Sequence, residues 1–293
     1  LNKLYRKNLI IYNHTKKDFH NSIIYTNPIE YISNTKDLAK LRSIYMRRLA
    51  NDIHKLFNVF FLAILLLIIS IYNSYPKAIY VSMDINKEVF SKGTKNQKVI
   101  ALSFDDGPHP KYTMDILDIL KEYDIKATFF VLGVHAEKYP DVIKRQVEEG
   151  HEIGNHSYSH IDMKRATKKE IKEEFIKTQE TIYSIAKVKP RVFRPPYGNY
   201  NKDVIEIVSS NYVPIVLWTF YQDSKDWSNP GVDSIVDTTL SRIQNGDIIL
   251  FHDYVYKNES HTVEALKRII PKLLDEGYKF VTISELLYIS REI

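Results

Sequence analysis

The chain of 293 residues contains no cysteine. That excludes disulfides, thiolate nucleophiles and cysteine-based zinc sites, and it leaves the compartment open. Charge of either sign is not in excess: 41 Lys and Arg against 36 Asp and Glu give a formal +5, too mild to argue for nucleic acid. No basic stripe interleaved with aromatics stands out, so no nucleic-acid partner is expected. Glycine is scarce, 9 residues against 21 tyrosines. With the abundance of Ile, Lys and Asn, this reads as compositional bias rather than function. Apolar residues are plentiful, and 44% suffices for a full core in one large domain or two small ones.

Residues 1–45 are polar, without sustained periodicity, and read as poorly ordered. The first methionine is Met46, followed by Arg47-Arg48. Met46 to Lys55 forms a basic lead-in to an apolar segment, so translation is expected to begin at Met46. The predicted organisation is a cytoplasmic segment over 1–55, a transmembrane signal anchor over 56–75, a linker over 76–97 and a domain over 98–293. The linker has some strand character at Ala78–Val81. The apolar run Leu56–Tyr72 is at the short end of the roughly 17–25 residues that span a bilayer. It is apolar on every face, which argues against a buried amphipathic helix. Asn73-Ser74-Tyr75-Pro76-Lys77 is a poor cleavage site, so an uncleaved anchor is favoured over a signal peptide. Lys36, Lys40, Arg42, Arg47, Arg48 and Lys55 precede the run, and Lys77 alone follows closely. The positive-inside rule then predicts a single-pass cell-membrane protein with its domain outside, or a secreted one if the segment is cleaved.

From Lys98 short apolar runs alternate with amphipathic stretches. Strands are predicted at Val99–Phe104, Ala127–Leu132, Glu152–Asn155, Val192–Arg194, Pro214–Trp218, Asp247–Phe251 and Lys279–Thr282. Helices are predicted near Met114–Tyr123, Pro140–Glu149, from Thr167 onward, and at Lys202–Ser209, Val232–Ile243, Val263–Glu276 and Ser284–Ile289. Thr167 with Glu170 makes a capping box, and Ile171, Phe175, Ile182 and Ile185 form the inner stripe of the helix that follows. Pro271 is expected to kink its helix. The alternation means an α/β fold with a parallel sheet, here a distorted, incomplete (β/α) barrel of seven strands after one N-terminal transmembrane helix.

The out-of-place polar residues fall at the C-terminal ends of these strands, where a barrel keeps its chemistry. Asp105 and Asp106 end the first strand within Ser103-Phe104-Asp105-Asp106-Gly107-Pro108. Alone, this hexapeptide also reads as a solvated turn. On an extended chain the two acids would point opposite ways and so divide their tasks. His156 and His160 stand four apart, on one face if the segment is helical. With Asp106 they make two nitrogens and one oxygen, an open zinc-like site with room for water. A metal there would polarise a carbonyl. Asp105 can then take a proton from water and His252, from the far side, can protonate a leaving group, which is the logic of amide or ester hydrolysis. Pro195 and Pro196 stiffen a loop that can present the Tyr197 N–H to an oxyanion, and Arg194 can hold Asp105 ionised. A rigid surface turn is the plainer reading of that loop. Trp218 is expected in the core, and Trp227 is expected to wall a sugar or acyl pocket.

Five motifs in order, Ser103 to Pro108, His156-Ser157-x-x-His160, Arg194-Pro195-Pro196-Tyr197, Asp223-x-x-Asp226-Trp227 and Leu250-x-His252-Asp253, resemble those of the polysaccharide deacetylases (NodB-homology domain, carbohydrate esterase family four). Ser103 stands where Thr is more usual, which keeps the hydroxyl. The resemblance covers about residues 98–289. It implies a metal-dependent hydrolase that removes N-acetyl groups from a glycan, with peptidoglycan N-acetylglucosamine the expected substrate beside a membrane anchor. It implies Asp105 as base, His252 as acid, Arg194 and Asp226 as their partners and Tyr197 as oxyanion donor. Asp106, His156 and His160 would hold a divalent metal, zinc first, with Co2+ or another ion as alternatives. Trp227, Leu250, Pro195 and Pro196 are assigned to substrate binding. The rival readings are an O-acetyl esterase on a polysaccharide such as xylan, and a non-catalytic glycan-binding protein.

Overall fold

The computed structural model describes residues 35–74, 89–255 and 259–291. Residues 1–34 and the strand character read at Ala78–Val81 lie outside the described residues. The chain divides into a unit ending at Ala78 and a unit beginning at Ile79. The first contains a helix over Thr35–Ser74. Its stretch Ser43–Leu67 is long and apolar enough to cross a membrane, and the helix takes in residues 35–45, expected from the sequence to be poorly ordered.

The second unit is built around β2 (Val99–Asp105), whose seven residues are all buried. A continuous apolar run buried on both faces is what a parallel strand under helices requires. β3 (Thr128–Val131) lies on one side and β6 (Ile248–His252) on the other, both parallel to β2. Phe104 stacks on Phe129 at 4.9 Å and on Phe251 at 5.9 Å between ring centroids. β4 (Glu152–Asn155) extends the sheet beyond β3, and β7 (Lys279–Phe280) pairs with the start of β2. β1 (Val89–Phe90) pairs with β5 (Ile215–Val216). Helices cover this layer: the capping box at Thr167 forms, and Ile171, Phe175 and Ile182 of the helix Lys168–Ala186 are buried.

Further details depart from the sequence reading, among them the shortening of the strands expected at Pro214–Trp218 and Lys279–Thr282 to two residues each. The strand expected at Val192–Arg194 shrinks to Phe193, which bridges Asn155 and Ile215. Pro190, Pro195 and Pro196 flank it and cannot donate to a ladder. A strand forms instead at Val89–Phe90, within the stretch read as linker. An unforeseen short helix, Gly133–Lys138, follows β3. The helix Val232–Leu240 stops three residues before Ile243. Beyond β4 the pairing proceeds by single-residue bridges, from Asn155 to Phe193 to Ile215, and Asp223 returns to Leu250 of β6. In consequence the residues at the C-terminal ends of β2, β4 and β6, and Arg194 after Phe193, come to one edge.

Candidate active site

Asp105 and Asp106 do not diverge as an extended chain would have them. Asp106 leaves the strand with φ 73, and both acids turn toward His156, whose Nε2 lies 3.8 Å from Asp105 Oδ2 and 3.4 Å from Asp106 Oδ1. His135 Nδ1 donates to the Asp106 carbonyl at 2.7 Å and so supports this turn. Gly107 is required next to it: a Cβ there would run into the Asp253 carboxylate.

His156 and His160 meet through a tight loop rather than a helix. Ser157 and His160 both adopt left-handed backbone, φ 68 and φ 60, and the rings lie 5.2 Å apart. The loop is hydrogen-bonded throughout. The Ser157 N–H donates to Asn155 Oδ1 at 2.9 Å and the His160 N–H to Ser157 Oγ at 3.0 Å. The Tyr158 and Ser159 N–H groups each donate to Glu174 Oε2 at 2.8 Å, and Ser159 Oγ donates to Oε1 at 2.6 Å. His156 Nδ1 donates to the Arg194 carbonyl at 2.7 Å. Its proton is thereby placed on Nδ1, and Nε2 is left with a lone pair facing the acids.

The three ligand atoms of Asp106, His156 and His160 lie within 4.8 Å of one another. Asp106 Oδ1 is buried and accepts no hydrogen bond, although His160 Nε2 stands 3.2 Å away. An orphaned, buried carboxylate oxygen beside two imidazole nitrogens is costly, and a divalent cation relieves it. Burial works against the charge on Asp106, but the two histidines outweigh it and hold the carboxyl well below the ordinary range. Burial likewise disfavours a proton on His156, yet Asp105 and Asp106 pull its affinity upward. The donors therefore fit a metal: two nitrogens and one oxygen, with the remaining positions open.

Arg194 is wholly buried. Its guanidinium donates to Asp105 Oδ1 at 2.7 Å, to Ser103 Oγ at 2.9 Å and to the carbonyls of Val216 and Leu217 at 3.0 and 3.1 Å. The loop after it makes a turn in which Tyr197 takes φ 59, closed by the Gly198 N–H on the Pro195 carbonyl. Pro195 and Pro196, read from the sequence as substrate-binding, are buried and do not line the cleft.

On the opposite flank His252 Nδ1 donates to Asp226 Oδ1, and the His252 N–H to Asp226 Oδ2, both at 2.8 Å. Thr262 Oγ1 adds a third bond to Asp226 at 2.7 Å. Burial disfavours charge on His252, but Asp226, seconded by Asp106 and Asp105, raises it to about 9. A cleft of about 630 Å³ joins the two flanks, lined by Asp105, Asp106, His156, His160, Tyr197, Trp227, Leu250 and His252 together with Ser159, Trp218 and Asp223. Trp218 corrects the sequence reading: it is half-buried and reaches the cleft, with its ring against Gly198. Glu174, Asn155, His135 and Thr262 were not foreseen. An acid at position 174, beside Ile171 and Phe175 of the inner stripe, was the one available signal.

A parallel α/β layer carrying a metal-fitting Asp-His-His group, with a carboxylate on one flank and an imidazole on the other, defines a hydrolase. Residues 92–216 match the family model for polysaccharide deacetylases. The chain is 41% identical over 192 residues to a peptidoglycan-N-acetylglucosamine deacetylase of Bacillus cereus, covering 66% of this chain and 89% of the relative. It is 41% identical over 197 residues to the peptidoglycan-N-acetylmuramic acid deacetylase PdaC of Bacillus subtilis, covering 67% of this chain and 40% of that protein. A crystal structure of a peptidoglycan N-acetylglucosamine deacetylase superposes with a TM-score of 0.67 at 36% identity, over 69% of this chain and 94% of that one. The chain belongs to the polysaccharide deacetylase family.

Proposed function

We propose that the chain removes N-acetyl groups from N-acetylglucosamine in peptidoglycan, with zinc held by Asp106, His156 and His160. The observation that carries this reading is the pair of braced groups, Asp105 on Arg194 and His252 on Asp226, flanking the metal-fitting triad in one cleft. When bound, the metal would polarise the acetyl carbonyl. Asp105 takes a proton from the attacking water, and Arg194 keeps that carboxylate ionised and aimed. The Tyr197 N–H donates to the oxygen that gains charge. His252 gives its proton to the sugar nitrogen as the C–N bond breaks, so acetate and a free amine leave. Trp227 and Leu250 bound the space for the acetyl group and its sugar. The helix Thr35–Ser74 supplies a single-pass membrane anchor that holds the domain outside the cell beside its substrate; if that helix is cleaved, the enzyme is secreted.

The test is acetate release from peptidoglycan fragments, with mass spectrometry locating the lost acetyl groups, beside O-acetylated xylan. Release from N-acetylglucosamine alone is expected. It should vanish in excess chelator and return with Zn2+ or Co2+. Release from xylan only would make the enzyme an O-acetyl esterase, and binding of glycan without release would make it a binding protein. Undiminished activity in chelator would remove the metal from the reading.

Asp226→Asn is expected to shift the alkaline limb of kcat/KM. As an acid, His252 must be protonated, so activity falls as pH rises through its pKa. The Asp226 charge raises that pKa, and its loss should move the limb about 1–3 units to lower pH. A pH–rate profile checks this, and an unmoved alkaline limb would mean another group is the acid.

A further inference from the structure

The two imidazoles of the triad are held differently. His156 is braced from behind by the Arg194 carbonyl. Among the described residues no hydrogen bond fixes the His160 ring, whose edge meets the Tyr197 ring at 4.6 Å between centroids. The position of His160 therefore depends on the backbone of the loop that carries it. That loop contains two left-handed residues, Ser157 and His160, and its successive N–H groups at 158 and 159 have no strand to pair with. Glu174, from the helix Lys168–Ala186, takes both N–H groups on one oxygen and the Ser159 hydroxyl on the other. These are charge-assisted bonds of 2.6–2.8 Å, stronger than neutral ones. Ser159 itself lines the cleft. The helix is in turn tied to the same loop's root, since Asn155 Nδ2 donates to the Phe175 carbonyl at 3.0 Å while Asn155 Oδ1 holds Ser157.

We propose that Glu174 is a positioning residue that sets the affinity of the site for its metal, by holding the loop that aims His160. It does for His160 through the backbone what a hydrogen-bonded partner does for most metal-binding histidines directly. The inference rests on the reading of Asp106, His156 and His160 as metal ligands.

The experiment measures Zn2+ and Co2+ dissociation constants of the full chain by competition with a chromophoric chelator, for the wild type, Glu174→Ala, Glu174→Gln and the outward-facing control Glu173→Gln. Both Glu174 variants are expected to bind about 10–100-fold more weakly, with the wild-type far-UV circular dichroism and with turnover recovering in excess metal. The control should match the wild type. Glu174 variants with wild-type dissociation constants overturn the proposal. So does weakened binding that occurs only together with loss of the far-UV signal, because the role is then structural. Wild-type protein that binds no metal would instead bring down the ligand reading beneath it.

Discussion

Replacing Asp105 by asparagine is expected to lower kcat/KM by about 10²–10⁴ while metal binding persists, the range that a positioned general base supplies. The neighbouring change, Asp106→Asn, should do the opposite in kind: the metal is lost, and activity with it. The contrast follows from where the two carboxylates end up. Asp105 Oδ1 is committed to Arg194 at 2.7 Å, whereas Asp106 Oδ1 is buried with no hydrogen-bond partner and faces both histidines. Asparagine at 105 still accepts from Arg194 but cannot take a proton. Metal content by atomic spectroscopy, measured beside the kinetics, distinguishes the two. An Asp105→Asn protein that keeps most of its activity would assign the base elsewhere, and one that loses its metal would place Asp105 among the ligands.

Arg194→Met should be the most destabilising single substitution at the site. It removes the charge that faces a nearly buried Asp105 and strands the two carbonyls that now receive its hydrogen bonds. Breaking a buried ion pair from one side costs about 3–5 kcal/mol. For a domain of this size, that corresponds to a fall in Tm of about 10 °C. Arg194→Lys keeps the charge but not the fork of donors, so it should recover only part of the loss. Thermal melts of the three proteins check this ordering, and a Met variant melting within about 2 °C of the wild type would contradict it.

The candidate site was legible because most of its side chains sit in short motifs where apolar runs stop. Asp105, Asp106, Arg194 and His252 could be placed at one edge from that rule alone. The loop carrying His156 and His160 could not, because a spacing of four suits a helix as well as a tight turn. The left-handed backbone at Asp106, Ser157 and His160 is invisible in residues that are not glycine, and it decides how the donors converge. Trp218 misled for a different reason: one side of its ring packs toward the core while the other reaches the cleft, and composition cannot divide a side chain. Strands set by pairing partners far along the chain, such as Val89–Phe90 with Ile215–Val216, carry too few residues to show a period.

Arg194 holds the Asp105 carboxylate with its guanidinium and the His156 ring with its own carbonyl. The proposed base and a proposed metal ligand are thus held by one residue, whose burial keeps both contacts in place. The rim of the cleft at Tyr197 and Trp227 is more than half exposed and lies outside these contacts of Arg194. Side-chain changes at this rim are therefore expected to alter which glycan strands bind more than they alter the hold of Arg194 on Asp105 and His156.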